Sequence, residues 1–278
     1  MSSDLVLLEK SEENPHIAIL TWNRADAGNA LNTPLLEALS ETFDEINADT
    51  TIRVVIMHST GKHASFGADL NELVVKTDDG YTNMTNEDAI KHIDDGRMVA
   101  EKIFNLRVPV IGILHGFCLG GGAELYTACD VLYAAAGGKA EGGLVYGFPE
   151  PTIGVMAGWM GPENLMKRIG AGYAKDILLS GRFVTAEEAL SMGIVQGLFP
   201  KEELMSRAMD WAKSVATNAP HAVESTRRTL NRVVFPHFKE VVDSTGTETV
   251  DNLMTADFVK GAKKILTKSK EQPEYERN

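Results

Sequence analysis

VPVIGILHGFCLGGGAE, residues 108–124, is the segment that decides the fold of this chain. Its first half has the length and the β-branched content of a buried strand. Three consecutive glycines follow, and glycine permits backbone conformations and close contacts that a side chain would block. Residues 123–128, AELYTA, are typical of a helix. The segment therefore predicts a buried strand, a tight turn and a helix in direct succession.

The glycine turn has two interpretations. Free N–H groups at the start of the helix, together with the helix dipole, would favour developing negative charge on an enolate or an oxyanion. Glu124 would then lie one turn into the helix, beside that anion. Alternatively, the glycines only let the helix pack closely on the strand. From this segment alone both interpretations stay open.

Size and composition indicate a globular protein of one or two domains. The chain has 278 residues, of which 44% are hydrophobic and 24% are charged. Its net charge of -12 weighs against nucleic acid as a partner, because such binding depends on Lys and Arg neutralising phosphates. Cys118 and Cys129 lie in the apolar central segment, and we expect buried free thiols. With no secretory signal and no membrane-spanning run, we expect a cytoplasmic protein without a membrane partner.

Strand and helix patterns alternate along the chain up to Pro162, and we therefore expect a parallel sheet with crossover helices. Thr33-Pro34 is predicted to open a helix with Thr33 as its cap. Residues 76–86 form a long polar segment that looks less ordered. From residue 202 to about residue 268 the signals are almost all helical. One apolar stripe there is typical of a core or a subunit interface: Met205, Ala208, Trp211 and Val215.

A second glycine turn before a helix, at Gly67-Ala68, has the same chemical logic as the turn at Gly121, since each offers a backbone N–H group to one oxygen. Here the chain resembles the crotonase, or enoyl-CoA hydratase/isomerase, superfamily, whose members polarise a thioester carbonyl with two such groups. The matching segments run nearly end to end. They are NR (23–24) with NAL (29–31), FGADLNEL (66–73), GGGAEL (120–125) with CD (129–130), GFPE (147–150), LSG (179–181) and the region up to residue 195.

The resemblance assigns the reacting groups residue by residue. It puts the two oxyanion N–H groups at Ala68 and Gly121. Glu124 and Glu150 match the two glutamates of the family's hydratases, and we expect Glu124 chiefly as base and Glu150 chiefly as acid. Gly158 falls where the family uses a backbone N–H near the reacting water.

The substrate is expected to contact Phe66, Asp69 and Leu70, which surround Ala68. Asp69 has a second interpretation as a helix-capping acid. Phe66 stands where small residues are usual in the family, and Asp26 stands where a basic residue often lies near the nucleotide of coenzyme A. Recognition of the coenzyme's phosphates is therefore left open.

Two departures surround the second acid. Glu124 and Glu150 are further apart in sequence than in typical hydratases, and the excess lies in residues 137–144, GGKAEGGL. Either Glu150 still reaches the site or the insertion has moved it. Residues 157–161, AGWMG, replace a small-residue segment, which changes the pocket wall where the acyl group should lie. Trp159 and Met160 either line that pocket or serve as apolar packing.

The resemblance implies an α/β fold, a crotonase-like spiral of ββα units with a C-terminal helical region. Residues 1–200 would form the core with the active site, and residues 201–278 a helical trimerisation region. We expect hydration of a 2-enoyl-CoA thioester to 3-hydroxyacyl-CoA by a homotrimer or a dimer of trimers. Coenzyme A would enter only as part of the acyl-CoA substrate, with no other cofactor and no metal. The alternatives are double-bond isomerisation, thioester hydrolysis and a non-catalytic binding role.

Overall fold

The computed structural model describes residues 4–234, 238–271 and 273–275. The strands are β1 (Val6–Lys10), β2 (Ile17–Trp22), β3 (Val54–Ser59), β4 (Val74–Thr77), β5 (Gly80–Asn83), β6 (Val110–Leu114), β7 (Phe117–Leu119), β8 (Val131–Ala135), β9 (Val145–Gly147), β10 (Phe183–Thr185) and β11 (Gly197–Phe199). The helices are α1 (Thr33–Ala48), α2 (Leu70–Leu73), α3 (Asn86–Asn105), α4 (Gly120–Thr127), α5 (Gly161–Ser180), α6 (Ala186–Met192), α7 (Leu204–Ala216), α8 (Pro220–Val234), α9 (Phe238–Leu253) and α10 (Ala256–Leu266). Short 3-10 helices lie at Ala25–Ala27, Lys139–Glu141, Glu150–Ile153 and Lys201–Glu203.

Two sheets organise the core. The larger sheet has the strand order β1-β2-β3-β6-β8-β11, in which β1 pairs antiparallel with β2 and the other pairs are parallel. The smaller sheet has the order β10-β9-β7, with β7 and β9 parallel. The expected parallel sheet with crossover helices is therefore confirmed.

The chain repeats one unit between these sheets. In the clearest case, β6 enters the larger sheet, β7 enters the smaller one and α4 follows directly. The next unit consists of β8, β9 and α5 in the same arrangement. The preceding unit has β3 in the larger sheet, a single bridge from Ser65 to Cys118, and α2. These units form the predicted spiral of ββα units, and each brings its helix start to the smaller sheet.

Two apolar layers hold the larger sheet. On one side, Ile56 and Ile111 of the sheet pack with Ala208 and Ala212 of α7. On the other side lies the main core, which contains Phe43, Tyr126 and most other buried apolar side chains. Of the predicted apolar stripe on α7, Ala208 is buried, whereas Met205, Trp211 and Val215 are half-buried at its edge. The buried face of α7 consists of Leu204, Ala208, Met209, Ala212 and Ala216.

Local structure differs from the sequence prediction at two places. Residues 76–86 are not irregular, because β4 and β5 form an antiparallel hairpin within residues 74–83. Both strands are mostly exposed or half-buried, so they lack the alternation that marks a strand with one buried face. The cap of α1 is Asn32, whose side chain accepts from the Leu35 N–H, and Thr33 is the first helical residue.

A buried arginine attaches α8 to the sheet. Arg227 donates to the Asp130 carboxylate at 2.8 Å and to the carbonyls at the end of α3, including that of Ile103 at 2.9 Å. Asp130 also accepts the Val110 N–H at 2.8 Å. One side chain therefore joins α8, the end of α3 and the beginning of β6.

We expect Arg227→Met to lower the free energy of unfolding by about 3–5 kcal/mol, because breaking a buried ion pair leaves its partner uncompensated. Urea unfolding measures this loss. Arg228→Met is the matched control, since Arg228 is exposed and should change stability by less than about 0.5 kcal/mol. Equal losses of unfolding free energy in the two variants would contradict the stabilising role assigned to Arg227.

Candidate functional site

Two backbone segments meet at the centre of the site. Ser65 N–H donates to the Phe117 carbonyl and Leu119 N–H donates to the Ser65 carbonyl, both at 3.0 Å. Gly67 has φ +88°, and a Cβ there would lie 2.8 Å from the Leu119 carbonyl oxygen and 3.3 Å from Gly121 N. Only glycine permits this approach without strain.

The approach brings together the N–H groups of Ala68 and Gly121. In the described part of the chain, neither group donates to a protein acceptor. Gly121 lies in the first turn of α4, where helical N–H groups have no intrahelical partner. The two predicted oxyanion donors thus lie on adjoining segments, and their role in binding an oxyanion stays a prediction.

Glu124 is buried one turn into α4. Its Oε2 accepts two backbone N–H groups, from Trp159 at 2.6 Å and from Gly161 at 2.8 Å. Burial and the nearby charge of Glu150 raise the pKa of Glu124 well above its usual range, and the two N–H groups oppose that rise. The carboxylate of Glu124 is therefore held in a fixed orientation by main-chain groups.

Glu150 reaches the site despite the enlarged loop. The extra residues close on themselves through a 3-10 turn, and Leu144 N–H donates to the Ala135 carbonyl. Pairing of Leu119 with Gly147 between β7 and β9 then fixes the chain three residues before Glu150. A Cβ at Gly120 would lie 3.2 Å from Glu150 Oε1, so the carboxyl group faces the glycine turn.

The environment of Glu150 favours its protonated form. The residue is buried, and its Oε2 has no hydrogen-bond partner among the described residues. Burial raises the pKa of Glu150 to about 7. Glu150 also lines an apolar cavity of about 280 Å³ together with Met156, Met166 and Leu178.

A third buried acid, Glu163, was missed in the sequence analysis. It lies in the first turn of α5, and its Oε1 accepts the Thr245 hydroxyl of α9. Its charge contributes to the raised pKa of Glu124, and burial raises the pKa of Glu163 itself. The sequence signal was weak, since an acid in the first turn of a helix is commonly an exposed residue that complements the dipole.

The predicted substrate contacts differ in what surrounds them. Asp69 caps α2 by accepting the Asn71 N–H, and it pairs with Arg24 at 2.8 Å, so the capping interpretation is confirmed. Leu70 is half-buried and packs against the core. Phe66 is 45% exposed and stands at the open side of the site. Whether any of the three contacts substrate stays a prediction.

Phe66 belongs to an aromatic cluster with the half-buried His63 and Phe117, and the ring centroids lie 4.7–5.7 Å apart. Lys139 Nζ lies 4.8 Å from the centroid of the Phe117 ring. Burial, and then the charges of three lysines, lower the pKa of His63: Lys62, Lys201 and Lys139. An otherwise acidic chain thus has a local positive surface with aromatic faces beside Ala68.

Residues 157–161 close the site against α9. Gly158 is buried, and a Cβ there would lie 2.4 Å from Thr249 Oγ1. Trp159 is also buried, beside Gly121. The sequence suggested both residues, but it gave no indication that α9 covers them.

In the described residues, no group of three His, Cys, Asp or Glu side chains is arranged to hold a metal ion. Nor does any described helix have the length and apolar character to cross a membrane.

A family model described as enoyl-CoA hydratase/isomerase matches residues 12–277. The chain belongs to this family. It is 31% identical over 233 residues to a short-chain-enoyl-CoA hydratase of Clostridium acetobutylicum, covering 84% of this chain and 83% of that protein. It is 28% identical over 228 residues to a mitochondrial Delta(3,5)-Delta(2,4)-dienoyl-CoA isomerase of Dictyostelium discoideum, covering 81% and 75%.

A solved structure with a similar fold is an enoyl-CoA hydratase from Bacillus anthracis. It has a TM-score of 0.75 and 28% sequence identity, and the match covers 98% of both chains. Membership of the enoyl-CoA hydratase/isomerase family and the crotonase fold are therefore confirmed. The family includes proteins named hydratases and a protein named an isomerase, so membership alone leaves the reaction open.

The raised pKa of Glu150 predicts a specific pH dependence of stability. A carboxyl group whose pKa is higher in the folded state binds more protons there than in the unfolded state. Its contribution to stability is therefore complete below its ordinary value of about 4.5 and is lost as the pH rises through about 7.

We expect the free energy of unfolding of Glu150→Gln, relative to the wild type, to increase between pH 4.5 and pH 7. Because one proton is involved, the difference in unfolding free energy between Glu150→Gln and the wild type increases by at most about 1.4 kcal/mol per pH unit. Urea unfolding at several pH values measures it. Glu187→Gln, which changes an exposed acid on α6, should run parallel to the wild type. A parallel Glu150→Gln curve would show that burial does not hold a proton on Glu150.

Proposed function

We propose that the protein catalyses addition of water to a 2-enoyl-CoA thioester, giving the 3-hydroxyacyl-CoA. One observation carries the proposal: two buried glutamates lie beside a pair of backbone N–H groups that have no protein acceptor in the described chain. The N–H groups suit a thioester oxygen, and the glutamates suit a water molecule that loses one proton and supplies the other.

In this mechanism Glu124 removes a proton from water, and the water oxygen forms a bond to Cβ of the enoyl group. The electron pair of the double bond moves onto the thioester, whose enolate oxygen accepts from Ala68 and Gly121. Each such donor typically contributes about 2.7–4 kcal/mol to transition-state stabilisation. Glu150 then transfers its proton to Cα, and proton exchange between the two acids restores the starting state.

The division of roles follows from the hydrogen bonds. Glu124 Oε2 receives two backbone N–H groups, which stabilise a carboxylate. Glu150 Oε2 has no partner in the described residues, which favours a neutral acid. Since the charge of each acid opposes ionisation of the other, the pair holds one proton, and the hydrogen bonds favour its location on Glu150.

The aromatic cluster supports binding of the coenzyme. Phe66 and Phe117 offer ring faces suited to stacking with a nucleotide base, and the neighbouring lysines suit phosphate groups. Lys139 lies in the enlarged loop, so the insertion supplies a cation beside the cluster. Asp26, at the position where the family often has a basic residue near the nucleotide, supplies none. We propose that coenzyme A enters only as part of the substrate, that the reaction uses no other cofactor, and that the protein is cytoplasmic.

We expect Glu124→Gln and Glu150→Gln each to lower kcat for enoyl-CoA hydration at least about 100-fold, because each removes a general acid–base group. Loss of the conjugated-thioester absorbance measures the rate. Glu187→Gln should retain the wild-type rate. If both site variants kept that rate, the assignment would be wrong.

Product analysis separates hydration from the alternative reactions of the same site. Hydration adds the mass of one water to the substrate, isomerisation leaves the mass unchanged, and hydrolysis releases a free thiol. Absence of turnover with every acyl-CoA would favour the non-catalytic alternative.

We also propose that the protein assembles as a homotrimer or a dimer of trimers. In support, α7 and α8 border an apolar groove of about 530 Å³ that includes Trp211 and Val223, and Leu230 is 59% exposed there. Analytical ultracentrifugation is expected to give the mass of three or six chains. A stable monomer would contradict this assembly.

A further inference from the structure

Trp159 fills the space between α3 and α4. Its side chain is only 3% exposed. A Cβ at Gly96, in the middle of α3, would lie 1.9 Å from the indole Cε2 atom. A Cβ at Gly121 would lie 2.4 Å from the indole Cζ3 atom. The indole therefore packs directly against main chain on two helices, at positions where both helices have glycine.

The same residue contacts the reacting groups of the proposed site. Its backbone N–H donates to Glu124 Oε2 at 2.6 Å, and its indole touches Gly121, which supplies one of the free N–H groups. A thioester carbonyl bound at that N–H group would have its acyl carbons beside the indole. The ring thus occupies volume next to the point from which an acyl chain must extend.

His92 packs against the indole. The His92 and Trp159 rings lie with their centroids 5.0 Å apart. His92 also lines a surface groove of about 310 Å³, whose other lining residues are mostly polar or charged: Thr33, Glu72, Val75, Met84, Asp88, Lys91 and Asp95. The indole is therefore held by packing and does not border an apolar space behind His92.

We propose that Trp159 determines acyl-chain specificity and restricts the substrate to short enoyl groups. The proposal rests on the proposed hydration of acyl-CoA thioesters and adds the chain length. One methylene too many in a filled apolar pocket lowers kcat/KM by roughly 10- to 200-fold. Removal of the indole opens a volume of the order of 150 Å³, which is enough for a benzene-sized group.

The test compares kcat/KM for four-, six-, eight- and ten-carbon 2-enoyl-CoA thioesters in the wild type, Trp159→Ala and Trp159→Phe. The wild type should fall at least about tenfold from four to eight carbons. Trp159→Ala should reduce that ratio at least about tenfold, and Trp159→Phe should lie between them. Phe199→Ala is the control, because Phe199 pairs with Tyr133 on the α7 side of the larger sheet and should keep the wild-type ratio.

Binding provides a readout that does not depend on turnover. Calorimetry with the saturated butyryl-CoA and octanoyl-CoA should show a preference for butyryl-CoA in the wild type and its loss in Trp159→Ala. Urea unfolding identifies any variant that is not folded, and Trp159→Phe retains a ring if the alanine variant fails to fold.

Each result has one meaning. If the wild type accepts eight carbons as readily as four, or if folded Trp159 variants keep the wild-type preference in both assays, the specificity role is overturned. If no thioester is hydrated but the binding preference shifts as described, the proposed reaction fails and the specificity role of Trp159 is supported.

Discussion

The site depends on the close approach of two main-chain segments at Gly67 and Gly121. A side chain at Gly67 would collide with the Leu119 carbonyl, and the two free N–H groups would then separate. Because both donors belong to the main chain, strand pairing fixes their positions and no side-chain rotamer is involved. The pair of free N–H groups is thus a property of the fold, whereas the proposed reaction depends on the side chains around it.

Three carboxyl groups are buried around these donors, and burial of charge is costly unless the charge is compensated. Two N–H groups compensate the charge of Glu124, and the Thr245 hydroxyl partly compensates that of Glu163. Glu150 has an oxygen without a partner in the described residues, so retention of a proton is its least costly state. A pKa of about 7 suits the protonation of Cα in the proposed reaction, and the same lack of partners makes the ionised form of Glu150 costly to the stability of the fold.

The sequence predicted the elements whose signals are local. The strand, turn and helix at residues 108–128, the Asp69 cap and the helix α7 each depend on periodicity or capping within a few residues. The hairpin at residues 74–83 escaped prediction because exposed strands have no apolar face. Glu150 reaches the site because β7 pairs with β9, and the length of the enlarged loop alone does not determine that pairing. Lys62 is the chain neighbour of His63, but Lys139 and Lys201 come from two distant segments, so their proximity to His63 was invisible in the sequence.

The main chain and the side chain of residue 159 have separate roles in the proposed function. Its N–H orients Glu124, and any residue except proline supplies that group. Its side chain occupies the space beside Gly121, and that space changes with every substitution. The space next to Gly121, which the proposed function assigns to the acyl group, can therefore be altered at this position while the hydrogen bond to Glu124 is retained. Gly96 fits the same interpretation, since a glycine in the middle of a helix costs about 1 kcal/mol relative to alanine and here admits the indole. The glycine on α3 and the tryptophan after Gly158 are thus complementary parts of one packing arrangement between α3 and α4.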